Sequence, residues 1–371
     1  MRVRIRGRDQ RPEQGKQWSE EPQKPLQPQG GDEGAEAADT ESASVQAPVE
    51  AATSEVSEDP VTVADEMYED VATPDVVAPE APPAPEKGAQ KAQRASVDWS
   101  DVPQPEPGAD VAYVPRPVPR IMAVANQKGG VGKTTTAVNL GAGLAEIGYR
   151  VLVVDLDPQG NATTGLGIDG RSFELSMYDV LMRDSKLEDA IEPTSMKNLF
   201  VAPATIDLAG AEIELVPTFS RELKLRRALE TVIDDFDYIL IDCPPSLGLI
   251  TVNGLAAADE VLVPIQCEYY ALEGLGQLLR NVHLVQANLN EKLDVSTIVL
   301  TMYDARTKLA EQVADEVRLH FGNKVCRNVI PRTVRISEAP SFGQPITTFD
   351  PTSRGAIAYR ELAKEVSGGA S

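Results

Sequence analysis

The sequence predicts an α/β fold: a doubly wound, mostly parallel sheet with a phosphate-binding P-loop, preceded by a disordered, acidic N-terminal tail. Three observations carry that expectation. A glycine-rich loop at residues 128–136 stands between an apolar run and a helical stretch, short apolar runs alternate with helical patterns after it, and the composition changes abruptly near residue 118.

Residues 1–120 hold 17 of the 28 prolines and 12 basic against 24 acidic side chains. Such a segment buries too little apolar surface to offset its chain entropy. The expected organisation is therefore a disordered tail at 1–118, one domain at 119–366 and a short tail at 367–371. The tail begins with Arg2, Arg4, Arg6, Arg8, Arg11 and Lys16, then turns acidic, with 4 basic and 22 acidic residues over 19–110. Its tryptophans, Trp18 and Trp99, suit docking to a polar or scaffold protein, although chance placement accounts for them equally well. No apolar run reaches 18 residues and no secretory segment is visible, so a cytoplasmic protein without a membrane partner is expected. Cys243, Cys267 and Cys326 are odd in number and widely spaced, as expected of reduced, buried thiols rather than metal ligands.

Within the domain, Ile121, Met122, Ala123, Val124 and Ala125 form a continuous apolar run of the kind found in a parallel strand buried on both faces. Residues 137–147, after the loop, have helical composition. Runs at 151–154, 238–241, 261–265 and 297–302 read as further strands. Over 268–289, Leu272, Leu275, Leu279, Val282 and Val285 recur every three or four residues, giving an amphipathic helix whose apolar stripe belongs to the core. A helix is expected over 306–320, a short strand over 325–330 and a closing helix over 353–366. His283 and His320 fall in helical stretches, where packing or solvent exposure suits them better than catalysis.

The strand ends carry the chemistry. Gly129, Gly130 and Gly132 let backbone N–H groups face an anion, and the helix start adds its positive end. The loop from Gly129 through Gly130, Val131, Gly132, Lys133 and Thr134 to Thr135 is assigned to a nucleotide. Lys133 would reach the β- and γ-phosphates and Thr134 would place its hydroxyl on Mg²⁺. Position 127 is Gln rather than the glycine of the ordinary loop, and Lys128 adds a second lysine at the loop's start, a deviant Walker A pattern. Asp242 ends the run 238–241, where a carboxylate orients Mg²⁺. Asp155 and Asp157 alternate, so only one of them should face the phosphates.

Residues 126–136, the run from Asp155 to Thr163, and Asp242 with Cys243, Pro244, Pro245 and Ser246 together resemble the ParA/Soj family of chromosome-partitioning ATPases, over about 120–366. The resemblance implies ATP and Mg²⁺ as cofactors. It makes Asp157 the residue that positions or activates the attacking water and places it with Thr134 and Asp242 at the metal site. It gives Lys128 a task beside Lys133, crossing to a partner's phosphates in an ATP-bound homodimer, with Gly129 where the two backbones meet. It puts Pro331 near the base, makes 158–163 and 248–251 the switch loops, and implies a ParB-like activator and a nucleoid-associated location. Arginines matching Arg306 and Arg335 bind DNA without sequence preference. From 317 to 337 the chain has five basic residues and no acidic one, Arg327 and Arg332 included. Alone, such a run reads as a solvated face; the resemblance makes it a phosphate-binding patch despite a net charge of −22.

Several relatives on the same loop are set aside by residues. No basic amphipathic helix follows the closing helix, as in MinD-like proteins. The cysteines cannot hold a cluster, and the tail is too proline-rich for a helix-turn-helix. A positioning ATPase for another cargo, and an ATP-using metabolic ligase such as a dethiobiotin synthetase relative, remain as alternatives.

Overall fold

The computed structural model describes residues 117–268 and 271–368; residues 1–116 of the tail assigned to 1–118, with both tryptophans, lie outside them. The elements are β1 (Arg120–Val124), α1 (Lys133–Glu146), β2 (Val151–Asp155), α2 (Asn161–Gly165), α3 (Met177–Met182), β3 (Glu192–Pro193), β4 (Leu199–Ala202), α4 (Leu208–Glu214), α5 (Lys224–Leu229), β5 (Tyr238–Asp242), α6 (Leu249–Ala257), β6 (Glu260–Gln266), α7 (Ala271–Asn288), β7 (Asp294–Thr301), α8 (Lys308–Phe321), α9 (Val334–Glu338), α10 (Ile346–Phe349) and α11 (Arg354–Ser367). The sheet order is β3-β4-β2-β5-β1-β6-β7. Every pairing is parallel except that of β3 with β4.

Strands β1, β2 and β5 are buried at every residue, because helices cover both faces. Alternate side chains divide between two cores. Ile121, Ala123, Leu152, Val154, Ile239 and Ile241 face the layer that includes α5, α6, α7 and α8. Met122, Val124, Val151, Val153 and Leu240 face α1 and α11. The stripe on α7 is core as expected, with Leu272, Leu275, Val282 and Val285 buried and Leu279 packed against them. All three cysteines are buried and free.

Side-chain caps fix the starts of α8 and α11. Thr307 caps α8 by accepting from the Ala310 N–H, and Ser353 caps α11 by accepting from the Ala356 N–H. Each takes the Ncap position and leaves the helix to begin one residue later. On the N-terminal side, α1 reaches back to Lys133, so the loop lysine is itself the first helical residue.

One expected element is corrected. Residues 325–330 do not form a strand. They touch β7 only at separate points, through the Cys326 N–H to Ile298 O (2.8 Å) and the Ile330 N–H to Leu300 O (2.8 Å). Between these, Glu365 of α11 draws the backbone away, accepting from the N–H groups of Arg327 (2.7 Å) and Asn328 (3.2 Å). A carboxylate here takes donors that a ladder would need.

Helices α1 and α11 meet at Gly143, where an added Cβ would lie 2.8 Å from Ala363 Cβ and 3.1 Å from Tyr359 O. Gly143→Ala is expected to destabilise the domain by about 1–3 kcal/mol through overpacking. Helix propensity alone would give a gain of about 1 kcal/mol. Urea unfolding of the two proteins decides between them.

Candidate nucleotide-binding site

The β1–α1 loop is shaped before any ligand arrives. Asn126 donates to Pro264 O (2.8 Å) and accepts from the Lys128 N–H (3.0 Å), tying the loop's start to β6. Thr301, at the end of β7, donates to Val131 O (2.8 Å). Gly130 and Gly132 have φ of 72° and 88°, a region that other residues adopt only under strain. No side chain caps α1, so the donors of its first turn are left for an anion.

Lys133, Asp155 and Asp242 are all buried at the carboxyl ends of the strands. Burial pulls the Lys133 ammonium below its ordinary pKa, opposed by Asp242 and Asp157. Its Nζ reaches only Lys128 O, at 3.5 Å. Asp242 and Asp155 are register partners on β5 and β2. Asp155 has a full set of donors: the Asp157 N–H (3.1 Å), the Thr163 N–H (2.8 Å) and the Thr163 hydroxyl (2.7 Å). Burial nevertheless pushes its pKa up to about 6. Asp242 has none, and both of its oxygens are buried without a hydrogen-bond partner. Burial first, then Asp155, raises its pKa well above the carboxylate range; Thr134 and Lys133 oppose the shift, Thr134 from outside good hydrogen-bond geometry.

A buried carboxylate left without donors costs about 1–3 kcal/mol, more when charged. A divalent cation is the partner that would relieve this, and Thr134 supplies a hydroxyl beside it. Mg²⁺ keeps waters and takes one or two protein oxygens together with phosphates, so Asp242 and Thr134 fit a Mg²⁺–triphosphate. Asp157 is the carboxylate that leads into the next turn. Its Oδ1 accepts from the Gln159 N–H (3.1 Å), and the turn closes through the Gly160 N–H to Asp157 O (2.9 Å). β2 ends at Asp155, and residues i and i+2 of a strand share a face, so the division between Asp155 and Asp157 comes from the turn that follows the strand and not, as expected, from alternation.

Lys128 points away from this cluster and lies 3.5 Å from Glu268 Oε2. An added Cβ on Gly129 would meet nothing within 4 Å, so any crowding there has to come from outside the chain. Pro331 bridges to Tyr303 just beyond β7; through Thr301, that strand end also holds the loop. The arginines divide. Arg306 is paired with Asp304, and Arg335 with Glu338 and Asp350. Arg327 and Arg332 are exposed.

Sequence reasoning missed Thr301, Asn139 and Glu212. Asn139 of α1 donates to Thr135 O (2.7 Å) and accepts from the Ile346 N–H (2.7 Å). Glu212 of α4 accepts from the N–H of Leu249 (2.7 Å), starting α6 inside the segment 248–251 expected as a loop, just as α2 begins at Asn161 inside the segment 158–163. Their partners lie up to 207 positions away, beyond the reach of any local pattern.

A glycine loop opening a helix, with its lysine facing a carboxylate on the neighbouring parallel strand, defines a P-loop nucleotide-binding domain. Residues 119–295 match the AAA domain family. Over 247 residues the chain is 62% identical to the sporulation initiation inhibitor protein Soj of Bacillus subtilis, covering 67% of this chain and 98% of that one. Over 249 residues it is 54% identical to the chromosome partitioning protein ParA of Caulobacter vibrioides, covering 67% and 93%. The structure of cobyrinic acid a,c-diamide synthase from Mycobacterium smegmatis with bound ADP and magnesium superposes with a TM-score of 0.59 at 44% identity, covering 67% and 93%. The chain belongs to the Soj/ParA family of chromosome-partitioning ATPases.

The raised pKa of Asp242 has a consequence for stability. In the folded chain it holds its proton to higher pH than in the unfolded chain, where its value is near 3.8. The ionised form therefore weakens the fold as pH rises above that value. Asp242→Asn is expected to raise the thermal midpoint of the nucleotide-free protein near neutral pH by about 2–4 °C, with the gain shrinking as pH falls toward 4. Calorimetry across pH checks both the sign and the window.

Proposed function

We propose that the chain is an ATP-dependent dimerising switch that binds DNA without sequence preference and partitions chromosomes with a ParB-like activator. The observation that carries this reading is the convergence of Lys133, Thr134, Asp157 and an unpartnered Asp242 at one crevice, in a chain so similar to Soj. ATP is held by the loop from Gly129 to Thr135, with Pro331 toward the base. Mg²⁺, when bound, neutralises triphosphate charge and is held by Thr134 and Asp242, with Asp157 beside it. Asp157 orients the attacking water and takes up its proton. Lys133 holds the β- and γ-phosphates. Lys128 leaves Glu268 to meet the phosphates of a second copy, so nucleotide joins two acidic subunits. Arg306, Arg327, Arg332 and Arg335 contact backbone phosphates, which specifies no sequence and makes binding steeply salt-dependent. The protein then acts on the nucleoid, and hydrolysis times its release.

The likeness to the Mycobacterium smegmatis synthase favours a second reading, an ATP-using ligase. A ligase would turn over ATP only with a small carboxylate or amine, whereas a switch responds to DNA and a protein activator. The higher identity to Soj, and Lys128, favour the switch.

Lys133→Ala is expected to abolish nucleotide binding, and Asp157→Ala to bind ATP but hydrolyse it at least about 100-fold more slowly, the usual scale for losing a general base. The Asp157 variant is also expected to stay dimeric on DNA. Fluorescent-nucleotide titration, phosphate release and sedimentation on DNA test each part, and wild-type turnover by the Asp157 variant would remove its assigned role.

A further inference from the structure

Three of the four arginines gather beyond β7. The Arg332 N–H bonds to Tyr303 O (3.2 Å), bringing Arg332 beside the turn from Asp304 to Arg306. Arg335 follows in the first turn of α9. Their charges are not equally available. Asp304 grips the Arg306 guanidinium with both oxygens, at 2.8 and 2.7 Å. Arg335 is held at 3.0 Å by Asp350 from one side and at 3.0 Å by Glu338 from the other, and its guanidinium lies 5.1 Å from the centre of the Phe349 ring. No side-chain hydrogen bond or salt bridge holds Arg332 or Arg327 among the described residues, although the Arg332 charge adds to that of Arg306 in lowering the Asp304 pKa; the backbone loop that carries Arg327 is fixed by Glu365.

Resting on the DNA-binding reading above, we propose that this surface is a charge-gated phosphodiester face: Arg327 and Arg332 are open to a nucleic-acid backbone, whereas Arg335 is latched by Asp350 and Glu338 and contacts a phosphate only when that latch opens. Two carboxylates on one guanidinium make the local sum negative, so a phosphate approaching Arg335 is repelled as long as the latch is closed. Opening it exposes one more cation with its planar fork free for a bidentate phosphate contact. The Arg306–Asp304 pair is a second latch of the same kind.

The Asp350 latch is also linked to the nucleotide loop. Thr135 O in the first turn of α1 accepts from Asn139 (2.7 Å), Asn139 accepts from the Ile346 N–H (2.7 Å), and Ile346 O accepts from the Asp350 N–H (2.9 Å). Three hydrogen bonds thus join the loop helix to the residue whose carboxylate holds Arg335. A shift of the first turn of α1 is carried to the latch, which makes the charge of the DNA face depend on what the loop holds.

The test uses the full chain and a short mixed-sequence duplex, titrated with ADP and with ATP at two salt concentrations, comparing the parent with Asp350→Asn and, separately, Glu338→Gln. Asn at 350 keeps the shape of the side chain, and circular dichroism verifies folding; the surface position of Glu338 provides an independent route to the same answer. Each variant is expected to bind about 3–10-fold more tightly than the parent in ADP and to narrow the ATP-over-ADP ratio. The slope of log affinity against log salt should steepen by about one, as for one added phosphate contact. Adding Arg335→Ala to Asp350→Asn should remove the gain. Parent-like affinity of both variants in ADP, or a gain that survives Arg335→Ala, overturns the latch while leaving DNA binding itself intact. Absence of DNA binding by the parent and both variants in every state overturns the face together with the reading on which it rests.

Discussion

The withdrawal of Lys133, Asp155 and Asp242 from water at the carboxyl ends of β1, β2 and β5 is the constraint around which the domain is arranged. Parallel strands flanked by helices have no solvated face, so charges placed at their ends are desolvated by the fold itself. Asp155 meets this by collecting three donors, two of them from Thr163 in α2. The bonds from Thr163 also fold the segment after Asp157 back onto the strand end. Asp242 collects none. The fold tolerates an unsatisfied carboxylate at the one place where a metal–phosphate group would complete it, an example of local stability surrendered at a functional site.

The five long parallel strands were legible because a continuous apolar run of that length, bounded by loop residues, suits little else than a strand buried on both faces. The nucleotide loop was legible because its glycines, lysine and threonine must stand at fixed spacing. What was not legible is physically local in space but remote in sequence. β4 is four residues long, and β3 is a two-residue pairing that includes a proline, so neither carries a periodic signal. The run over 325–330 has strand composition, yet a single carboxylate on α11 takes its donors. Asn139 is polar on an otherwise buried helix face, a signal of sorts, but its partner Ile346 could not be named from the sequence.

Charge shows the same limit. A window from 317 to 337 contains basic residues and no acidic ones, and a count of them suggests an open cationic surface. In the fold, Asp304, Glu338 and Asp350 lie outside that window and Asp294 pairs with Lys324. Formal charge along a chain measures what a surface could present; the ion pairs determine what it does present. Most of these pairs are exposed and individually weak, which is what an exchangeable partner requires.

The close approach of α11 to α1 at Gly143 makes the support of the nucleotide loop depend on a segment remote from it in the chain. Helix α1 carries the loop lysine, and one of its long faces is covered by residues 354–367, with Arg360 reaching Glu146 across 214 positions. Without them α1 would still cover β2, but its own outer face at Gly143 would lose Tyr359 and Ala363, and the loop would rest on a helix held from one side. A domain without α11 would contain the whole glycine loop and still lack the support that holds it in place. The shape of the loop is thereby tied to the closing helix, although the two stand far apart in the chain.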